Sequence, residues 1–255
     1  MRIVFLIAFL TVIISVAISQ ENYEIQVYGS ETMAKNTTIF ELHSNYTGRG
    51  TRNIENGVFP TNHSIHETIE ITHGFTENFE LGFYLFNAIG SKNRTGFVGT
   101  HIRPRIRVPE NWNWPVGISL STELGYQNLA YSEDDWSLEI RPIIDKRFDK
   151  FYISFNPVLD KSLHGINKSS APGFSPNLKA SYDLDRKVTA GIEYYGSLGT
   201  IGKGLPFDEQ SHCLFLALDL DLNPKWEFNC GYGFGLNQIT EGSIFKLILG
   251  YRFAK

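Results

Sequence analysis

The chain has 255 residues, 42% hydrophobic and 20% charged, with a formal net charge of -4, a composition that excludes an intrinsically disordered product. Two cysteines exclude a disulfide-dense secreted scaffold and a cysteine-rich zinc or iron–sulfur site, and the mildly acidic balance argues against nucleic acid as a partner. Aromatics at 14%, with 23 Gly and 10 Pro, point to a turn-rich architecture.

The first element reads as a leader. Arg2 supplies a positive start, residues 3–16 are almost entirely apolar, and Ala17-Ile18-Ser19 places small residues at a signal-peptidase site. Residues 1–19 are therefore expected to be a signal peptide cleaved before Gln20. The apolar run is short for a membrane-spanning helix, which needs about 20 residues. Residues 20–36, with a short alternating stretch at 23–28, read as a periplasmic lead-in to a barrel that occupies 37–255.

From there the pattern is that of strands. Segments 37–46 and 63–74 alternate imperfectly, and then Phe79, Leu81, Phe83 and Leu85 alternate with Glu80, Gly82, Tyr84 and Phe86. Ile102, Pro104, Ile106 and Val108 alternate with His101, Arg103, Arg105 and Arg107. The period returns at 116–124, 136–147, 151–158, 174–184, 187–197, 211–221, 225–235 and 243–253. Apolar spacing of three and four is absent, so no helix is expected.

Connections alternate between short and long. Short ones fall at Thr76-Glu77-Asn78, 110–114, Asp149-Lys150, Asp185-Arg186 and Leu222-Asn223-Pro224; long ones fall at 47–62, 88–96, 127–135, 159–173, 198–210 and 237–242. That rhythm is the signature of an all-β, antiparallel up-and-down transmembrane β-barrel, with short periplasmic turns and longer extracellular loops. A strand of about 11 residues tilted by about 40° spans roughly 28 Å, enough for an apolar band of about 25 Å. Working back from 243–253 gives about 12 strands with both barrel ends in the periplasm, in the outer membrane of a Gram-negative cell.

A soluble β-sandwich shares the alternation but explains two features poorly. Acids (Glu41, Glu70, Glu80, Glu123, Glu139, Glu193) and bases (Lys179, Lys246, Arg252 and the arginines above) crowd one face, and aromatics such as Trp112, Trp136 and Trp226 gather near strand ends. A charged lumen and interfacial girdles account for both.

Several stretches also resemble a known family. They include Glu24-Ile25-Gln26-Val27-Tyr28-Gly29, Phe59-Pro60-Thr61-Asn62-His63, His101-Ile102-Arg103-Pro104-Arg105, Glu139-Ile140-Arg141-Pro142 and Leu249-Gly250-Tyr251-Arg252-Phe253. On these the chain resembles a Gram-negative outer-membrane β-barrel family of unassigned function, related to the outer-membrane proteins of the phenol-degradation meta-pathway. The resemblance implies a barrel fold, outer-membrane lipids as surroundings, and assembly through the C-terminal strand ending Tyr251 to Phe253; it implies no catalytic residue and no cofactor. The chain departs from the usual aromatic ending, because Ala254 and Lys255 follow Phe253.

The strongest candidate site is a ladder. His101, Arg103, Arg105 and Arg107 lie at two-residue spacing, hence on one strand face, with Arg141, Glu123, Glu139 and Glu193 on the same lumen side. It lines either a solute pathway attracting anions or an ion-pair network with acids on neighbouring strands. The first reading places a narrow charge-selective passage between the arginines and Glu123 and Glu139.

No metal site is expected: His63 and His66 would face opposite sides of a strand, so Glu67 cannot join both. Cys213 and Cys230 fall out of register in one hairpin, and no helix follows Gly231, Gly233 and Gly235 to make a nucleotide loop. Nor does an outward Ser–His pair suggest a lipid hydrolase. The expectation is a passive channel for small anionic or aromatic solutes, with a closed barrel serving structure or surface interaction as the alternative.

Overall fold

The computed structural model describes residues 22–90 and 94–254; residues 1–19, expected as a leader, lie outside the described residues. Twelve strands form the wall. They are β1 (Thr37–Arg49), β2 (Ser64–Thr76), β3 (Phe79–Ile89), β4 (Thr95–Arg107), β5 (Gly117–Gln127) and β6 (Trp136–Phe148). The second half contains β7 (Phe151–His164), β8 (Gly173–Asp183), β9 (Val188–Ser197), β10 (Ser211–Leu220), β11 (Trp226–Gly235) and β12 (Ser243–Ala254). Each pairs antiparallel with its sequence neighbours, and β1 pairs with β12 from Thr37↔Ala254 to Arg49↔Ser243, so the sheet has no free edge. A two-residue ladder, Gly199–Thr200 with Lys203–Gly204, decorates the β9–β10 loop.

Alternation sorts the side chains as expected. Phe40, Leu42, Ile69, Phe83, Leu216 and Phe245 point outward and are more than 40% exposed, although each is large and apolar. Such a surface, continuous around the wall, is stable only against lipid. Aromatic pairs close the band at the short-turn end, where Trp226 lies 4.8 Å from Tyr251 and Phe151 lies 4.7 Å from Tyr182. At the other end Tyr126 lies 5.5 Å from Trp136.

One strand starts earlier than its periodicity suggests. The long connection expected over 88–96 is shorter, because β4 begins at Thr95. The register between β3 and β4 slips at Phe86/Asn87, and Val98 and Gly99 are both buried in succession. This bulge breaks the two-residue period and hides the start of the strand. Gly99 is required there: a Cβ would lie 2.1 Å from the carbonyl oxygen of Tyr126.

The largest departure concerns residues 22–36. They were expected as a periplasmic lead-in, yet they run through the barrel interior. Asn22 lies at the long-loop end, where Asn45 Nδ2 donates to its carbonyl over 2.9 Å. The chain then descends to the short-turn end, where Asn36 N donates to Gly74 O over 2.8 Å before β1 begins. Extended backbone at about 3.3 Å per residue covers that height in about ten residues.

Candidate functional site: a lumen filled by the N-terminal segment

The segment is two-faced. Ile25 and Val27 turn to one side and form a buried apolar cluster with Tyr195, Cys213, Phe215 and Ile244 of β9, β10 and β12. Tyr23 seals the long-loop end against Tyr84, Phe86, Ala88 and Val98 of β3 and β4. Glu24 and Tyr28 turn the other way, toward the arginines. Apolar residues on the inner wall have no place in a hydrated pore, and this segment is what they pack against.

An extended segment outside the sheet leaves its peptide groups unpaired, and buried ones need partners. Wall side chains supply them. Asn156 grips Tyr28 from both sides, its Oδ1 accepting from Tyr28 N at 2.8 Å and its Nδ2 donating to Tyr28 O at 3.0 Å. Ser154 Oγ donates to the same carbonyl at 2.6 Å, and Thr68 Oγ1 to that of Tyr23 at 2.6 Å. Lys246 Nζ reaches Ile25 O at 3.2 Å, and Asp145 accepts from Ser30 N at 2.9 Å and Ser30 Oγ at 2.7 Å. Gly117 leaves room for that pair, since a Cβ would lie 2.1 Å from both Asp145 Oδ1 and Ser30 Oγ.

The ladder residues can now be placed one by one. Arg103 is buried and donates to Glu70 Oε1 at 2.7 Å and Glu80 Oε1 at 3.1 Å, with its guanidinium 4.9 Å from the centroid of the Tyr28 ring. Arg105 has its Nε 2.8 Å from Glu80 Oε1 and donates to the carbonyls of Glu31 at 2.6 Å and Gly29 at 3.3 Å. Arg141 is clamped by Glu139 at 2.6 and 3.1 Å, lies 3.7 Å from Glu24, and has its guanidinium 4.9 Å from the centroid of the Tyr28 ring. His101 Nδ1 stands 3.3 Å from Glu123 Oε2, and its ring meets Phe86 edge-on at 4.6 Å.

Two members stand apart. Arg107 pairs with the exposed Glu110 at the short-turn rim, beside a cavity of about 520 Å³ that Glu31, Trp114 and Asp145 also line. Glu193 belongs to a second network, with Lys246 at 2.5 Å, Lys179 at 3.4 Å and Tyr195 Oη at 2.7 Å. The passage expected between the arginines and Glu123 and Glu139 holds Tyr28 and Glu24 instead. The ladder therefore pairs with its neighbouring acids and also holds the segment. Tyr28 and Glu24 are the functional residues that period counting misses; their signal is only the weak alternation at 23–28.

A carboxylate fastens the outer end. Glu241, in the β11–β12 loop, accepts from Asn22 Nδ2 at 3.0 Å, from Thr47 Oγ1 at 3.2 Å and from Thr61 Oγ1. Burial pushes its pKa above the usual carboxylate range, and these hydrogen bonds pull against that shift.

The remaining candidates disperse. His63 sits in a turn with its Nδ1 2.9 Å from Tyr46 Oη, His66 packs edge-on against Tyr23 inside, and Glu67 accepts from Ser44 outside at 2.7 Å. Cys213 and Cys230 are free thiols, paired in the ladder with Gly235 and Leu218.

A closed ring of twelve strands with an apolar belt and a charged interior matches solved barrels. The KdgM porin superposes with a TM-score of 0.54 at 12% identity, covering 84% of this chain and 99% of that chain. The chain has the fold of a small outer-membrane porin. A KdgM porin in complex with disordered oligogalacturonate superposes with a TM-score of 0.54 at 11% identity over 85% and 99%. The NanC porin does so with 0.55 at 6% identity over 85% and 99%. No family model matches the chain, and no curated protein matches its sequence.

Proposed function

We propose that this protein is an outer-membrane channel held closed by its own N-terminal segment, and that it passes small anionic solutes when the segment leaves the lumen. The observation that carries this reading is the convergence of three guanidiniums, from Arg103, Arg105 and Arg141, on Tyr28 at 4.9, 5.4 and 4.9 Å. Side chains that hold an aromatic ring, a carboxylate and peptide carbonyls are suited to an acidic or aromatic solute in the same place. A cationic wall between low-dielectric surfaces also favours anions in transit. Likeness to a porin solved with oligogalacturonate supports the acidic class, and the sequence resemblance to the meta-pathway barrels supports the aromatic one. The apolar belt supports residence in the Gram-negative outer membrane after removal of residues 1–19.

Liposomes carrying a variant that lacks residues 22–31 test the solute class. Faster swelling with a uronic-acid or aromatic carboxylate salt than with a neutral sugar of equal size is expected. Equal rates, or faster entry of the neutral sugar, contradict anion preference.

The second reading, a permanently sealed barrel serving surface interaction, is favoured by the two apolar clusters that flank the segment. It predicts that removing the segment collapses the barrel instead of opening it.

A further inference from the structure

A second constellation lies in the lumen wall where β1 and β2 meet. Glu41 and Glu70 are directly opposite each other in the ladder, and His43 follows Glu41 at two-residue spacing, so all three point inward. All three are buried, His43 completely, and one ligand atom from each lies within 4.8 Å of the others. His43 Nε2 stands 3.3 Å from Glu70 Oε2, yet neither atom has a hydrogen-bond partner among the described residues, and neither does His43 Nδ1.

We propose that Glu41, His43 and Glu70 form a binding site for a divalent transition metal of the zinc class. Three lines lead there. First, His43 Nε2 and Glu70 Oε2, 3.3 Å apart, have the spacing of two ligands on one ion. Tetrahedral bonds of about 2.0–2.1 Å put neighbouring ligands about 3.3 Å apart.

Second, the surrounding charges leave one acid over. Arg103 and Arg105 balance Glu70 and Glu80, and Arg252 pairs with Glu227. Glu41 has no ion pair or hydrogen bond among the described residues, although it is buried beside a second carboxylate. A dication there offsets a cost that neighbouring buried acids otherwise impose.

Third, the donor set discriminates. One imidazole and two carboxylates, without sulfur, suit zinc, manganese or cobalt, and three protein ligands leave a position open. A polar cavity lies close by: Asp219, Glu227 and Lys179 line about 180 Å³ of lumen, and Glu227 and Glu41 flank Gly250, each within 3.1 Å of where its Cβ would lie.

The test uses the mature protein assembled in detergent and stripped with a chelator. Zn²⁺ titrated by calorimetry should bind one per chain, and Co²⁺ should give the visible absorption of a low-symmetry oxygen- and nitrogen-ligated site. His43→Gln and Glu41→Gln should each weaken Zn²⁺ binding at least tenfold, with heat-modifiable migration retained as the check on assembly. His164→Gln, which alters the exposed His164–Asp135 pair, should leave the affinity unchanged. No stoichiometric binding by the wild-type protein overturns the proposal. Undiminished binding by an assembled Glu41 or His43 variant overturns it equally. Neither outcome depends on conductance, so the site and the channel reading stand or fall separately.

Discussion

The guanidinium of Arg103 lies 4.9 Å from the centroid of the Tyr28 ring, and the ring of Tyr84 covers the same guanidinium at 5.5 Å. A cation fixed by two wall carboxylates is thus also the seat of the N-terminal segment. The contact joins the lumen wall to the segment that fills it.

Tyr28→Ala should loosen the closure without dismantling the barrel. It removes three cation–π contacts, each worth about 0.5–2 kcal/mol depending on solvation, and leaves the Asn156 grip on the backbone intact. Current recordings should show brief openings more often than in the wild type. Unchanged recordings from an assembled variant would mean that the arginines do not hold the segment.

Glu80 carries more of the interior than any single sequence feature suggests. It faces both Arg103 and Arg105 and accepts from Met33 N at 2.5 Å. Glu80→Gln should destabilise the barrel by about 3–5 kcal/mol, since it leaves the buried Arg105 guanidinium without its carboxylate and removes one of the two that hold Arg103. The temperature of heat modification on gels reads this directly. Glu110→Gln, which breaks the exposed rim pair with Arg107, should leave that temperature where it is.

The outer latch gives a pH dependence with a definite sign. Because burial raises the Glu241 pKa, the folded latch binds its proton at a pH where the unfolded chain, near 4.5, has already lost it. Its contribution to stability therefore falls as pH rises above about 4.5 through the raised value, and it recovers on acidification. Protease access to the N-terminal end should increase over that interval in the wild type and stay nearly flat in Glu241→Gln. An opposite slope would contradict the burial argument.

Both faces of β10 should refuse a long charged side chain, for different reasons. Leu216 is 57% exposed on the lipid side, so Leu216→Arg should cost about 2–4 kcal/mol near the midplane and impair insertion. Leu216→Ile should insert normally. Ala217, on the lumen side, is 3% exposed, so replacing it with Arg should fail for want of space. Folding yields into vesicles measure all three.

How far the sequence reveals this molecule depends on what each feature needs. The wall is legible because a two-residue period survives in nearly every strand; the Val98–Gly99 bulge hides the start of β4, and β1 and β7 run on into Arg49 and His164, where loops were expected. The ion pairs of Arg103 and Arg141 are legible because their acids fall on the same lumen face, on the same strand, the next one or the next but one. The segment at 22–36 is not, because an alternating stretch such as 23–28 looks alike whether it joins a wall or fills a lumen. Its partners Asn156, Ser154 and Thr68 are polar residues whose inward aim becomes meaningful only once the ring has closed. Glu41, His43 and Glu70 come together only through the β1–β2 register, which the imperfect alternation of those strands leaves open.

Single-channel recording in planar bilayers, comparing the wild type with the variant lacking residues 22–31, tests the central claim most directly. The account predicts a quiet wild type and a variant that assembles, remains heat-modifiable and conducts steadily with a reversal potential favouring anions. A wild type that conducts as steadily as the variant, or an assembled variant that conducts nothing, would contradict it.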